Sequence, residues 1–545
     1  MTLMMFRQSR HVLKGRLSSR MSILVRRAAS SKSIQESGTS IVVAFRRWNR
    51  RVGELMYPQN IGSLFVGSLP LPLTPTPEFI DEYPNAKVVT KQVPGPQSLK
   101  LMNDMDAISA TNTIHFFVDY SKSRGNYIVD VDGNCYLDVL GQIASLPIGY
   151  NHPSIIKAMT DPENIPMLVQ RPCLGLLPPK DWTERIQSTL MKYAPPGLTE
   201  VHTMMCGSCS NENAFKAAFI WYQTHKVRGG QPPSQLDLES CMMNQIPGAP
   251  KLSVLSFNGG FHGRLMGCMS ATHSKAIHKV DIPAFDYWPV VDFPKLTYPL
   301  NEFENENRNE EARCLAMTEE AITKSRDAGC PVAAMIVEPI QAEGGDNHAS
   351  ADFFRQLRDI AANHDIAFIV DEVQTGGGST GTFWAHEQWK LENPPDIVTF
   401  SKKMQTGGYY TKPEFRPKEG YRIFNTWMGD PSKIIQLEAY LDTVEKDGLL
   451  ENTCITGDYL LSGLETLQGQ YPNVLSRARG AGTYCAIDLP TSQDRDSLIS
   501  LLRHNGVECA GSGDVTLRLR PALIFQPRHA AEFLNLLEQS IQHLK

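Results

Sequence analysis

At 545 residues the chain is too long for one simple core, so a large domain with a smaller companion is the natural expectation. Hydrophobic residues make up 41% and charged residues 20%, the balance of a folded protein, which excludes disorder on a large scale. A net charge of -5, with no basic repeat or zinc-finger spacing in the body of the chain, excludes nucleic acid as a general partner.

The first stretch differs from the rest. Arg7, Arg10, Lys14, Arg16, Arg20, Arg26, Arg27 and Lys32 all precede the first acidic residue, Glu36, with serines and apolar residues between them. That is the composition of a mitochondrial transit peptide, the alternative being a plain basic tail. The apolar run 61–73 is broken by Pro70 and Pro72 and falls short of the about 20 residues a membrane span needs, so no membrane is expected. Residues 1–75 read as a removable or disordered extension. The 11 cysteines are scattered singly apart from Cys206 and Cys209, which points to buried thiols in a reducing compartment and not to a disulfide scaffold.

Further along, 127–131 and 135–139 flank Asp132-Gly133-Asn134, the chemistry of a β-hairpin. At Cys206-Gly207-Ser208-Cys209, glycine and serine precede helix-forming residues. That arrangement fits either an anion site at a helix N-terminus or an ordinary N-cap. Apolar runs at 253–257, 333–337, 366–370 and 397–400 read as strands, and 353–364 carries a helical pattern in Phe354, Leu357, Ile360 and Ala361. Strands and helices alternating in this way predict an α/β fold with a mostly parallel sheet, whose ligands sit beyond the carboxyl ends of the strands.

The residues after each strand are therefore the candidates. The strand 253–257 is followed by Phe261-His262-Gly263-Arg264, and 333–337 by Glu338 and Glu343 with a glycine pair. The strand 366–370 leads into Asp371-Glu372-Val373-Gln374 and three glycines, and 397–400 into Ser401-Lys402-Lys403. Taken alone, the Asp371 segment also fits an N-cap and a turn. A lysine in an apolar cleft is costly unless a partner or covalent chemistry uses it. Together these groups match what pyridoxal phosphate demands: a lysine, an acid for the pyridine nitrogen, a ring to stack on and donors for a phosphate. Gly-x-Ser-x-Gly, His-Glu-x-x-His and a Walker loop are absent, which argues against hydrolase, zinc-protease and P-loop chemistry.

The segments 124–133, 207–214, 261–264, 338–347, 371–378, 401–408 and 425–431 resemble the class III, fold-type I aminotransferases, and within them the branch acting on 4-aminobutyrate. The resemblance runs from Val93 to the C-terminus. It implies a large domain at 151–440 with a mostly parallel sheet flanked by helices. A smaller α+β domain would be assembled from 76–150 and 441–545.

By the same resemblance, Lys402 is the lysine that joins the cofactor aldehyde as a Schiff base, with Lys403 the alternative. Asp371 pairs with the pyridinium nitrogen, Val373 and Gln374 touch the ring face and phenolic oxygen, and His262 stacks on the opposite side. Gly207 and Ser208 hold the phosphate, with Thr426 reaching in from the other subunit of a homodimer. Arg264 is expected to clamp the distant carboxylate of 4-aminobutyrate. Arg518 is expected to receive the α-carboxylate of glutamate or 2-oxoglutarate, and Glu343 to neutralise it in the other half-reaction; planar guanidinium forks suit carboxylates. Ile143 and Phe261 form apolar walls.

A lone Cys-x-x-Cys fits a redox pair, half a zinc site or coincidence. In animal relatives of this branch the cysteines matching Cys206 and Cys209 bind a [2Fe–2S] cluster between two subunits, which two pairs of thiolates can ligate. The implied activity gives succinate semialdehyde and glutamate, in the mitochondrial matrix. The rival readings are an enzyme acting on ornithine or β-alanine, and a non-catalytic homologue, which loss of the lysine or aspartate would have marked.

Overall fold

The computed structural model describes residues 71–72 and 81–544, so the expectations for 1–75, apart from Leu71 and Pro72, lie outside the described residues. The hairpin is present as β1 (Tyr127–Val129) and β2 (Cys135–Asp138), antiparallel with Ile128 opposite Tyr136. Both strands are shorter than expected, β2 by Val139 and β1 by two residues, the latter because Asp130 turns to other work. Its carboxylate accepts from the backbone N–H groups of Asp132 and Asn134 and builds the turn instead.

The remaining strands are β3 (Glu200–Met204), β4 (Ser253–Phe257), β5 (Val290–Val291), β6 (Val332–Val337), β7 (Ala367–Asp371), β8 (Ile397–Phe400) and β9 (Gly407–Thr411). The C-terminal part adds β10 (Ser476–Ala481), β11 (Tyr484–Asp488), β12 (Val507–Glu508), β13 (Ala510–Ser512) and β14 (Thr516–Leu519). Two helices matter for the site: α1 (Gly207–Trp221) and α2 (Ala351–Asn363).

The large sheet has the order β3-β9-β8-β7-β6-β4-β5, with β5, β4, β6, β7 and β8 parallel and β9 antiparallel between β8 and β3. Its central strands are buried along their whole length, as expected for a sheet covered on both faces. Because side chains alternate, each strand feeds two cores. Phe368 and Val370 pack in the cluster that holds Phe353, Phe354 and Leu357 of α2. Ala367 and Ile369 pack with Ala214, Phe215 and Ala218 of α1. By the same parity Asp371, last in β7, points to the α1 face.

Segments before and after the large sheet share a third core. β12 pairs in parallel with β2 in a three-stranded sheet, and Tyr127, Leu137 and Val139 pack with Leu460, Leu517, Phe533 and Leu537. The antiparallel sheet β10-β11-β14-β13 stands beside this core and carries Arg518. Helix α2 starts two residues before the expected 353 because Ser350 caps it, accepting from the Phe353 N–H at 3.0 Å.

One buried carboxylate ties the large sheet together. Asp396, just before β8, accepts from Phe368 N at 2.9 Å, Arg358 Nη2 at 3.0 Å and Lys412 Nζ at 2.6 Å. Asp396→Ala leaves two cations without their partner in a nearly dry site, and a loss of about 3–5 kcal/mol is expected. A drop of that size in unfolding free energy, read from urea denaturation, checks it; a change below about 1 kcal/mol would contradict it.

Candidate active site

Strand ends and a helix start converge at one edge of the large sheet. β4, β6, β7 and β8 end there, β3 ends there at Met204 opposite Gly407, and the short link Met205-Cys206 leads from β3 into the first turn of α1.

Asp371 sits at the centre, 3% exposed. A buried carboxylate is tolerable only with donors around it. Its Oδ2 faces His262 Nδ1 at 2.8 Å and accepts from Asn211 Nδ2 at 2.8 Å, while Oδ1 accepts from Val373 N at 3.0 Å. The Val373 contact is a local turn bond made by one oxygen, while the other oxygen faces His262 and Asn211. His262 turns its ring edge to Asp371, which makes it the partner of the acid; the stacking on the cofactor that the resemblance implied concerns the face of the same ring.

Asn211 escaped the sequence reading. It lies one turn after Gly207 on α1, on the face that parity turns toward Asp371, and that spacing was its only signal.

Gly207 and Ser208 are the first two residues of α1, whose leading N–H groups have no partner within the helix. A Cβ at Gly207 would stand 2.6 Å from Val373 Cγ1, so a side chain there would close the space between the helix start and the second residue after Asp371. Such an approach is a ready anion site. Ser208 Oγ accepts from Arg264 N at 3.4 Å, joining the helix start to the segment after β4. Thr426 is exposed in the loop before residue 431.

The two lysines occupy the turn after β8. Burial lowers the Lys402 amine to about 8, with Glu343 opposing the shift and Arg518 adding to it. Burial, with Arg520 beside it, lowers Lys403 to about 7. Both amines are within reach of deprotonation near neutral pH, the condition for a nucleophile or base. Lys402 itself stands at φ +52, in the left-handed region.

Ile143 lies on a second left-handed segment. Gly141, Gln142, Ile143 and Ala144 have φ of 56, 54, 58 and 64°. Each non-glycine residue there costs roughly 1–2 kcal/mol, and a β-branched residue such as Ile143 is the least suited. Asp138 holds the entry to this turn, accepting from Leu140 N and Gly141 N at 2.9 and 2.8 Å and from Tyr150 Oη at 2.6 Å.

The carboxylates after β6 are driven apart. Glu338 is buried and accepts from the N–H groups of Phe261 and Ala342, and burial together with Asp371 pushes it well above the usual range. Glu343 is also largely withdrawn from water, which raises it, yet Arg518 overrides this and holds it at about 2. The Arg518 Nη1–Glu343 Oε1 distance is 2.5 Å, and the Arg518 Nε is buried with no partner. A free guanidinium edge is the feature a carboxylate ligand would use.

Arg264 is exposed. Its Nη2 lies 3.3 Å from His278 Nε2 and its guanidinium lies 5.0 Å from the centre of the Phe261 ring. His278 also escaped the sequence reading, being fourteen residues away with no local pattern to mark it. Gln374 Oε1 accepts from Arg520 Nε at 3.0 Å and Tyr484 Oη at 3.2 Å, which fixes the direction of its amide. Cys206 and Cys209 have their sulfurs 3.6 Å apart, and burial plus Cys206 raises Cys209 to about 11. Among the described residues no group of three or more metal-ligating side chains occurs.

A lysine with a lowered pKa, a buried acid in a donor cage, a helix start opened by glycine and a free arginine edge fit a phosphorylated pyridine aldehyde and a carboxylate substrate. The family model for aminotransferase class-III matches residues 108–541. The chain belongs to the class III aminotransferases, enzymes that work with pyridoxal phosphate.

Among its relatives, the mitochondrial 4-aminobutyrate aminotransferase of Sus scrofa is 53% identical over 83% of this chain and 90% of its own length. The Homo sapiens protein of the same name is 54% identical over the same shares, and the 4-aminobutyrate aminotransferase of Dictyostelium discoideum is 52% identical over 87% and 94%. Among solved structures, lysine aminotransferase from M. tuberculosis superposes with a TM-score of 0.74 at 28% identity, covering 82% of this chain and 100% of that one.

Because the folded pKa of Glu343 is depressed, its ion pair stabilises the fold fully above pH 4.5, and that contribution is lost as pH falls toward about 2. Glu343→Gln should therefore unfold at lower urea than the parent at pH 7, and the gap should narrow below pH 4.5. A gap that stays constant down to pH 3 would contradict the pairing.

Proposed function

We propose that the chain moves the amino group of 4-aminobutyrate, and of β-alanine, to 2-oxoglutarate, giving succinate semialdehyde and glutamate in two half-reactions of a ping-pong cycle. The observation that carries this is the Arg518–Glu343 pair. An arginine whose charge is covered by a carboxylate suits a substrate without an α-carboxylate, and the same arginine, once released, suits one that has it. The 4-aminobutyrate aminotransferases at about half identity support the same substrates.

Bound pyridoxal phosphate supplies an aldehyde for the amino group and an electron-withdrawing ring that stabilises charge at the substrate carbon. Lys402 gives the covalent attachment and, when displaced, moves the proton at the substrate carbon; a pKa near 8 leaves enough free amine for both. Asp371 holds the proton on the pyridine nitrogen, with His262 and Asn211 orienting its carboxylate. Gly207 and Ser208 hold the phosphate, Val373 lines a face of the ring, and the amide of Gln374 meets the phenolic oxygen. Arg264 takes the far carboxylate of the ω-amino acid, and Ile143 and Phe261 flank its methylene chain.

The working unit is a homodimer in which Thr426 of each chain completes the other's phosphate site. Exposed Leu176, Leu177, Met205 and Trp427, with Arg171 stacked 3.8 Å from the Trp427 ring centre, form an apolar surface next to Cys206 and Thr426 of the kind that seeks a partner. Two Cys206–Cys209 pairs brought together across it would supply four thiolates, the number a [2Fe–2S] cluster takes. The described residues of 76–150 and 441–545 make one small domain around their common core, and 151–440 the large one. The basic stretch within 1–75 and the mitochondrial names of the mammalian relatives support import into the mitochondrial matrix.

Amino transfer to 2-oxoglutarate from a panel of 4-aminobutyrate, β-alanine and ornithine tests the proposal. 4-Aminobutyrate should give the highest kcat/KM; ornithine as the best donor would overturn it. Arg518→Gln should lower kcat/KM for 2-oxoglutarate by roughly 30- to 1000-fold, the range for losing a charged hydrogen-bonded partner, and that for 4-aminobutyrate far less.

A further inference from the structure

The two left-handed segments of the site are laced to one another. Lys402 Nζ donates to Ile143 O at 3.0 Å, Lys403 Nζ to Ala144 O at 3.3 Å and Gln405 Nε2 to Ser145 O at 3.2 Å. Three side chains from one turn thus meet three consecutive carbonyls of the other. Lys403 is wholly buried, and among the described residues it forms no ion pair, so an amine that is costly to bury has a neutral carbonyl as its hydrogen-bond partner, with the Asp138 carboxylate attracting it from a distance.

Its stem is fixed as well. A Cβ at Gly377 would lie 2.9 Å from Lys403 Cβ, which shows how closely that backbone presses on it. Within the turn, Ser145 N and Leu146 N both donate to Gly141 O, at 2.8 and 2.9 Å. Asp138 secures the entry, and at the exit the carbonyls of Ile143, Ala144 and Ser145 are met by the three side-chain donors. A strained segment of this kind persists only when its surroundings over-determine it.

Lys402 leaves Ile143 O whenever its amine works on cofactor or substrate. We propose that Lys403 and Gln405 are positioning residues that hold the left-handed turn 141–144 through those stages, keeping Ile143 against the methylene chain of the ω-amino acid and so setting the preferred chain length. This rests on the assignment of Lys402 and Ile143 made above. The role of Lys403 is thereby separate from that of its neighbour: one lysine reacts, and the next keeps the wall in place.

The test uses the full chain with Lys403→Met and, as the milder change, Gln405→Leu. Loaded with pyridoxal phosphate, each variant should keep the visible absorption band of the bound cofactor. The KM for 4-aminobutyrate should rise roughly five- to tenfold with a smaller change in kcat, the pattern of lost ground-state positioning. The preference for 4-aminobutyrate over the one-carbon-longer 5-aminopentanoate should flatten. Without added cofactor, hydrogen exchange at the Ser145 and Leu146 amides should speed at least about tenfold, as expected when local opening is eased. Unchanged KM together with unchanged exchange in both variants would overturn the proposal and leave Lys402 untouched. Loss of the absorption band in Lys403→Met would overturn both the proposal and the assignment of Lys402 beneath it.

Discussion

A carboxyl group placed at the closed end of a nearly dry cleft is the constraint on which the rest of the site depends. Asp371 can stay there because His262, Asn211 and the Val373 amide surround it, and each of those donors arrives on a different element. Helix α1 must therefore lie against the α1-facing side of β7, and the segment after β4 must cross in front of it. Once that packing exists, the start of α1 is held within a side chain's width of Val373, and an anion-binding helix end faces the same space as the acid. One requirement, donors for a buried acid, thus sets the helix start and the acid at a fixed position relative to each other, the two ends that the proposed cofactor site needs.

Charge is sorted by the same constraint. Glu338 and Glu343 are neighbours on one loop and both withdrawn from water, yet they are driven in opposite directions, because one receives only backbone N–H groups beside Asp371 and the other meets Arg518. Environments that separate the pKa values of like groups assign them different tasks. Lys402 sits in the field of both, and burial outweighs the attraction of Glu343, which leaves its amine reactive near neutral pH. Backbone strain is concentrated in the same small region, at 141–144 and at Lys402, as is common where a site must be held in one geometry.

Much of the sheet was legible because its strands are buried on both faces and read as continuous apolar runs. The strands at 253–257 and 397–400 coincide with the observed ones, and 366–370 differs by one residue, Asp371 being paired opposite Thr399 at the end of β7. The polar residues just past each strand were legible for the same reason, since a clear strand end marks them. Contacts between distant segments were not. His262 was legible as a ring with a face to offer, but not that its edge meets Asp371, which depends on how the segment after β4 crosses the end of β7. Asn211, His278, Tyr484 and Arg520 touch site residues across 14 to 160 positions with no local pattern to announce them. The left-handed turn ran against its own sequence, since Ile143 is among the residues least suited to that backbone.

In the proposed site Asp371 and Lys402 close on one pyridine ring from adjacent strand ends. Reducing the cofactor-loaded enzyme with borohydride makes the lysine–cofactor bond permanent, and peptide mapping by mass spectrometry then locates it. A phosphopyridoxyl group on Lys402 is the expected result; the group on Lys403, or on a lysine away from the end of β8, would contradict the claim.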